Sequence, residues 1–385
     1  MMGIVKKRPH RGNGGGWAVS LSVLLIPAIV ALAPAGIAAQ AVPSNSAASA
    51  LDRVQAGIAA LQGWYNPATG LYRTSGWWNG ANSLTVLVNG ARLTQTHAYD
   101  KVIAGTFVAA QKKSPGFINN FYDDEGWWGL AWVDAWDLTH RRAYRKMARS
   151  IFENMAGGWD ETCGGGIWWS KKRHYKNAIA NELFLSLAAH LASRDPRHRA
   201  EYLRWAHREW QWFAASGMIN SQNLINDGLT IEASGQGAAA CKNNGRTTWT
   251  YNQGVVLGGL ADLSKADSDP ALLQTAQKIA TAAITHLVDG NGVLHDACEP
   301  NCGGDGSQFK GVLLRNLMGL EAVAPQPMYS RFIETNADAI WRFDRGPGNQ
   351  FGVVWSGPFR RANATTQTSA LDALIAAAAI KKNGD

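Results

Sequence analysis

Asp123, Asp124 and Glu125 stand in succession, and Gly126, Trp127 and Trp128 follow at once, within FYDDEGWWGLAW (residues 121–132). Consecutive carboxylates at the start of an apolar run suit three kinds of chemistry. The first is capping, because Asp is a favoured N-cap and acids in a first turn complement the helix dipole. Capping uses one Asp and Glu125 and gives no reason for the adjoining tryptophans. The second is divalent metal with pyrophosphate, which needs further carboxylates at helical spacing. Here the residues three and four beyond Asp124 are Trp127 and Trp128, with neither an extended DDxxD pattern nor a GxGxxG-type phosphate loop. The third is cleavage of a glycosidic bond by two carboxyl groups. These lie about 5 Å apart when a covalent intermediate forms and about 6.5–9.5 Å apart when water attacks directly. Neighbours on a helix diverge by about 100°, yet their carboxyls can reach the shorter spacing, which favours retention. Two nearby carboxylates resist ionising together, so one keeps its proton toward neutral pH and serves as the acid.

Seventeen tryptophans in 385 residues give such a pair a suitable setting. An indole face stacks on the C–H face of a sugar while its N–H stays hydrogen-bonded; a Trp-rich helical core is the plainer alternative. Charged residues are 17% and hydrophobic ones 46%, so the chain has ample core. No Lys/Arg stripe interleaves with aromatics, which argues against nucleic acid as a partner. No integral membrane partner is indicated either, and a monomer is expected.

The elements that must position the pair are helices. Strand signals are poor, whereas 181–193, 269–289 and 367–382 are apolar at helical spacing. Asp269 and Pro270 open the second of these as N-cap and first helical residue. Two kinds of helix alternate. One is amphipathic. The other opens on a polar or aromatic cluster and then runs almost wholly apolar, with starts at Trp77, Asp123, Tyr175, Thr250, Phe309 and Thr366, roughly 45 to 75 residues apart. A helix apolar all round is a buried helix. Six buried helices alternating with six amphipathic ones predict an all-α chain, an α/α six-hairpin toroid in which a double ring of twelve helices gathers the polar clusters at one mouth. Glycine-rich stretches (74–80, 163–170, 232–237, 302–307) widen that mouth into a cleft fit for a long polysaccharide.

Residues 1–40 read as a signal peptide, with Lys6, Lys7, Arg8 and Arg11 before an apolar run (17–39) and small residues for cleavage after Ala39 or Ala41. A retained N-terminal anchor is the alternative, since the run is long enough to span a membrane although Pro27 and Pro34 interrupt it. Without those four basic residues the net charge falls from +8 to +4. Residues 42–46 form a linker, and 41–385 reads as a single catalytic domain, secreted to an extracellular or periplasmic space. The even cysteine count permits disulfides there. Cys298 and Cys302 could close a small loop and leave Cys163 with Cys241, but the sequence does not fix the connectivity. No metal site and no cofactor is indicated. Asn363 opens an N-glycosylation sequon.

The segment YDDEGWWGLAWVDAWDLT (residues 122–139) resembles the signature of glycoside hydrolase family 76, the endo-acting α-1,6-mannanases. WWNGAN from Trp77 before it, and CGGGIWW from Cys163, YKNAIANELF from Tyr175, LINDGL from Leu224, TYNQG from Thr250 and FKG from Phe309 after it, run in order over roughly residues 50–380. The resemblance implies hydrolysis of α-1,6-mannosidic bonds in yeast-type mannan with retention, Asp123 as the nucleophile and Asp124 as the acid/base. Transglycosylation of cell-wall mannan-type glycans and non-catalytic glycan binding are the competing readings. From the polar clusters at the mouth, Trp78, Trp127 and Trp128 are candidates to stack on mannose or buttress the pair. Asn82, Asn177, Asn226, Asp227, Tyr251, Asn252 and Gln253 are candidates to bond sugar hydroxyls. Lys176 and Lys310 are expected to pair with carboxylates or to lie in solvent, and Glu125 reads as a first-turn acid without chemistry.

Overall fold

The structure, a computed structural model, describes residues 49–232 and 240–384. The export segment, the linker at 42–46 and most of the glycine-rich stretch at 232–237 lie outside the described residues. Twelve α-helices follow in order: α1 (Ala50–Gln62), α2 (Trp77–Thr94), α3 (Asp100–Ala109), α4 (Tyr122–Thr139), α5 (Arg142–Ala156), α6 (Ala178–Arg194), α7 (Arg199–Ala215), α8 (Thr250–Asp267), α9 (Pro270–His286), α10 (Phe309–Glu321), α11 (Pro327–Phe343) and α12 (Ala364–Gly384).

The even-numbered helices pack in a closed cycle, each on the next and α12 back on α2, while the odd-numbered ones wrap them from outside. The predicted α/α double ring is the observed one. Sequence dictates the sorting. In α5 the buried residues are Tyr144, Ala148, Ile151, Phe152 and Met155, one stripe at helical spacing that leaves the other face to water. In α12 every residue from 364 to 378 is buried. The inner helices approach closely because glycine marks their contacts: a Cβ on Gly254 would lie 2.6 Å from the Leu313 Cα, and one on Gly311 2.4 Å from the Ser369 carbonyl oxygen. Polar pairs fix the closure, with the Ser83 and Thr368 hydroxyls 2.8 Å apart and the Gln367 amide donating to the Gly57 carbonyl at 3.0 Å.

Five of the six predicted inner starts fall within about two residues of the observed ones. The helix expected from Tyr175 begins at Ala178 instead. Residues 175–177 are extended and paired: the Trp169 N–H donates to the Tyr175 carbonyl and the Leu229 N–H to the Lys176 carbonyl. Asn177 then caps the helix, accepting from the Ala180 N–H at 3.3 Å. Asp269 caps α9 as expected. Three short hairpins went unforeseen, β1 (Tyr65–Asn66) with β2 (Leu71–Tyr72), β3 (Leu229–Glu232) with β4 (Ala240–Asn243), and β5 (Arg345–Gly346) with β6 (Gln350–Phe351). Two to four residues carry too little alternation to read. Disulfides join Cys163 to Cys241 and Cys298 to Cys302.

At the other end of the ring the bore is polar. His190 meets Asp262 at 2.9 Å, Arg194 meets Asp137 at 2.7 Å and Arg315 meets Asp372 at 2.9 Å. His190, Arg194, Asp262 and Arg315, with Arg92 and Asp134, line a cavity of about 200 Å³. Among the described residues no helix is long and apolar enough to cross a membrane.

Candidate active site

Asp123 and Asp124 are the second and third residues of α4, at the inner N-termini, where free backbone N–H groups and the positive dipole end meet. Asp123 accepts from the Trp169 indole N–H at 2.9 Å through Oδ2 and from the Asp124 backbone N–H at 3.0 Å through Oδ1. Asp124 accepts from the Asn119 side-chain amide at 2.6 Å. Burial pushes Asp123 up to about 8, the Asp124 carboxylate adds to the shift, and the two N–H donors oppose it. Burial pushes Asp124 up to about 6, against the Asn119 amide; Asp305 adds to the rise and Lys113 opposes it. The pair thus titrates as one unit and holds a proton into the neutral range.

Aromatic rings continue from the pair across the mouth. Trp127 stacks on Trp78 at 5.3 Å, Trp78 on Phe309 at 6.2 Å, and Phe309 on Tyr251 at 3.8 Å between centroids. The Trp78 indole donates to Asp305 at 2.7 Å. Asp305 stands just beyond the small Cys298–Cys302 loop. Trp169 remains 37% exposed although its indole N–H is bound to Asp123. Tyr251 is half-buried; desolvation, with the nearby carboxylates, raises its phenol well above the ordinary range, so it is available as an O–H donor.

The other candidates fall into groups. Trp128 is fully buried against Trp77, Phe117 and Trp132, behind the pair. Asn82 is buried a turn below the mouth and accepts from Arg315 at 2.8 Å. The Gln253 amide, also buried, exchanges hydrogen bonds with the Ile225 backbone at 2.8 and 3.0 Å. Asn226 accepts from Asn220 and Asn243, both at 3.0 Å, and donates to the Arg246 carbonyl. Asn177 caps α6. Asp227 accepts from the Tyr175 hydroxyl at 2.5 Å. Asn252 is fully buried, its amide without a hydrogen-bond partner among the described residues.

Both lysines pair with carboxylates. Lys176 is wholly buried, 2.9 Å from Asp160, and also donates to the carbonyls of Asp160, Thr162, Gly165 and Gly166. It thereby pins the glycine-rich loop. Lys310 meets Glu299 at 2.7 Å and lies over the Trp355 ring. Asn119, Trp169, Asp305 and Phe309 were absent from the sequence-level candidates. The Asn119 signal was there to read: an Asn shortly before a helix start commonly folds an Asx turn, here with the Phe121 N–H at 2.8 Å.

A closed double ring of helices with a proton-sharing carboxylate pair in an aromatic mouth is the frame of an α/α-toroid glycoside hydrolase. The chain belongs to glycosyl hydrolase family 76, whose family model matches residues 48–384. It is similar to the mannan endo-1,6-α-mannosidase DCW1 of Candida albicans, 29% identical over 237 residues, which are 56% of this chain and 51% of that one. It is also similar to the mannan endo-1,6-α-mannosidase DFG5 of Saccharomyces cerevisiae, 24% identical over 306 residues, 72% of this chain and 65% of that one. The chain thus spans between half and two thirds of the length of these curated relatives. Among solved structures, an inactive variant of the α-1,6-mannanase of Salegentibacter sp. HEL1_6 in complex with α-1,6-mannotriose shares the fold. Its TM-score is 0.77 at 22% identity, covering 86% of this chain and all of that one. Dfg5 of Chaetomium thermophilum, in complex with glucosamine, gives 0.73 at 21% identity over 86% and 90%.

Proposed function

We propose that this protein cleaves α-1,6-mannosidic bonds within the backbone of a yeast-type mannan, with retention of anomeric configuration. The observation that carries the proposal is the Asp123–Asp124 pair, held at the aromatic mouth by the Trp169 and Asn119 N–H donors and pushed by burial above the ordinary carboxylate range. Burial favours the proton on Asp123, whereas the hydrogen bonds favour it on Asp124, because both Asp123 oxygens accept N–H donors. We give the directional bonds the greater weight and assign Asp123 as the ion. Asp123 then attacks the anomeric carbon as Asp124 gives its proton to the departing glycosidic oxygen, leaving a mannosyl ester on Asp123. Asp124, now a carboxylate, takes a proton from water as that water attacks the same carbon and frees Asp123. Trp78, Trp169 and Tyr251 present ring faces to the sugars. Residues 41–385 form the catalytic domain in this reading, and 1–40 direct export.

Unbranched α-1,6-mannan, incubated with wild type and with Asp123→Ala, tests the proposal. Short mannooligosaccharides of retained configuration from wild type alone are expected. Binding without cleavage by wild type would overturn the hydrolase in favour of a binding protein, and products longer than the input would show transfer to another glycan.

A further inference from the structure

Glu125, the third acid of the run, is fully buried. Its Oε1 accepts from the Asn119 backbone N–H at 3.2 Å and from Lys171 Nζ at 2.9 Å, and the Asn154 amide donates to its other oxygen. Asn119 and Lys171 belong to different segments. One segment leads into α4 and the other follows the glycine-rich loop, and they are paired: the Lys171 N–H donates to the Asn120 carbonyl at 3.0 Å, and the Tyr122 N–H to the Trp169 carbonyl at 2.9 Å. Each segment delivers one donor to one of the paired carboxylates, Asn119 to Asp124 and Trp169 to Asp123. The Asn119 amide has one possible orientation, because the Phe121 N–H can only donate and so takes Oδ1. Its NH₂ therefore faces Asp124.

We infer that Glu125 is a positioning residue, which bolts the two donor segments together and, through Asn119, sets the proton affinity and aim of Asp124. The inference rests on the reading that Asp123 and Asp124 are the reacting pair. A carboxylate suits the bolt because a single oxygen can accept from an amide and an ammonium at once. Asn119 binds Oδ2 of Asp124, which leaves Oδ1 to carry the proton toward the glycosidic oxygen. The charges facing Asp124 are Asp123 on its own helix, Asp305 from the loop before α10 and Lys113 from the segment after α3. The titratable groups facing Glu125 are the Lys171 ammonium and the neutral Tyr122 phenol.

Carboxyl-carbon NMR titration of Asp-labelled protein, with Asp124 assigned through Asp124→Asn, separates positioning from a merely structural bond. Asn119→Ala removes both the turn acceptor and the donor. Asn119→Asp keeps the acceptor for Phe121 but replaces the donor with a second carboxylate. The Asp124 midpoint should rise by about 1 pH unit in Asn119→Ala, the size of one hydrogen bond to a charge, and further in Asn119→Asp. The alkaline limb of the kcat profile on α-1,6-mannan should move with it, with kcat lowered about tenfold or more and KM little changed. An unmoved midpoint in Asn119→Asp overturns the inference. For Glu125, the Glu125→Gln, Asn119→Ala double variant should lose less kcat than the product of the single losses; fully multiplicative losses overturn the part assigned to Glu125. Wild type that fails to cleave mannan would refute the proposed function; the Asp124 midpoint in Glu125→Gln, which should rise as it does in Asn119→Ala and whose staying put overturns the part assigned to Glu125, would still decide this inference.

Discussion

Asp123 and Asp124 make the folded chain less stable as they ionise, because burial, together with mutual repulsion at Asp123, favours their protonated forms. Folded values of about 8 and about 6 lie above the ordinary 3.8. The native state therefore binds more protons than the unfolded chain between those limits. The pair's contribution to stability is present at low pH and is lost as pH rises through that window. Asp123→Asn removes the charge but leaves one of the two N–H donors without an acceptor. We expect it to be inactive, with a stability that falls less than that of wild type between pH 4 and pH 8, by on the order of 1–3 kcal/mol. Chemical denaturation at several pH values measures this, and a difference from wild type independent of pH would contradict it. The pair was legible in the sequence because its members are adjacent and sit beside Trp127 and Trp128. The donors were not. Asn119 and Trp169 lie about 50 residues apart in the chain, and only the pairing of their segments brings both to one helix terminus.

At the scale of the helix, α10 offers a controlled comparison. A Cβ on Gly311 would meet the Ser369 backbone at 2.4–2.6 Å, where no side chain can move aside. One on Gly319 would meet nothing within 4 Å. Gly311→Ala should lose about 2–3 kcal/mol by overpacking, whereas Gly319→Ala should gain about 0.5–1 kcal/mol from helix propensity. Urea unfolding of the two variants checks both signs. Inner helices were recognisable because burial on all sides leaves a continuous apolar run. The α6 boundary was not, because Tyr175, Lys176 and Asn177 continue the composition of the helix while their backbone pairs with residues 169 and 227–229. The polar residues of α2 and α12 that close the ring, such as Ser83 and Thr368, carry no periodic signal of their own.

At the scale of the molecule, the two disulfides should differ in weight. Cys163–Cys241 spans a sequence separation of 78 and Cys298–Cys302 a separation of 4. Loop-closure entropy grows with the span. Cys163→Ser with Cys241→Ser should cost about 3–5 kcal/mol and release the loop that Lys176 pins. Cys298→Ser with Cys302→Ser should cost less stability and act through Asp305 and Trp78, raising KM on mannan. Thermal unfolding and steady-state kinetics on the same preparations distinguish the two. The sequence offered these pairs as one arrangement among several, since spatial adjacency of residues 163 and 241 depends on the loops that flank α6 and α7.

Because α12 seals against α1 and α2, the first and last helices of the ring are neighbours, and Ala50 and Lys381 line one crevice. The wheel therefore has no structurally privileged first spoke. A circular permutant that links residue 382 to residue 49 and opens between Ser268 and Asp269, in the turn between α8 and α9, keeps every spoke beside its neighbours. It should rebuild the same mouth around Asp123 and Asp124 from a chain read in a different order.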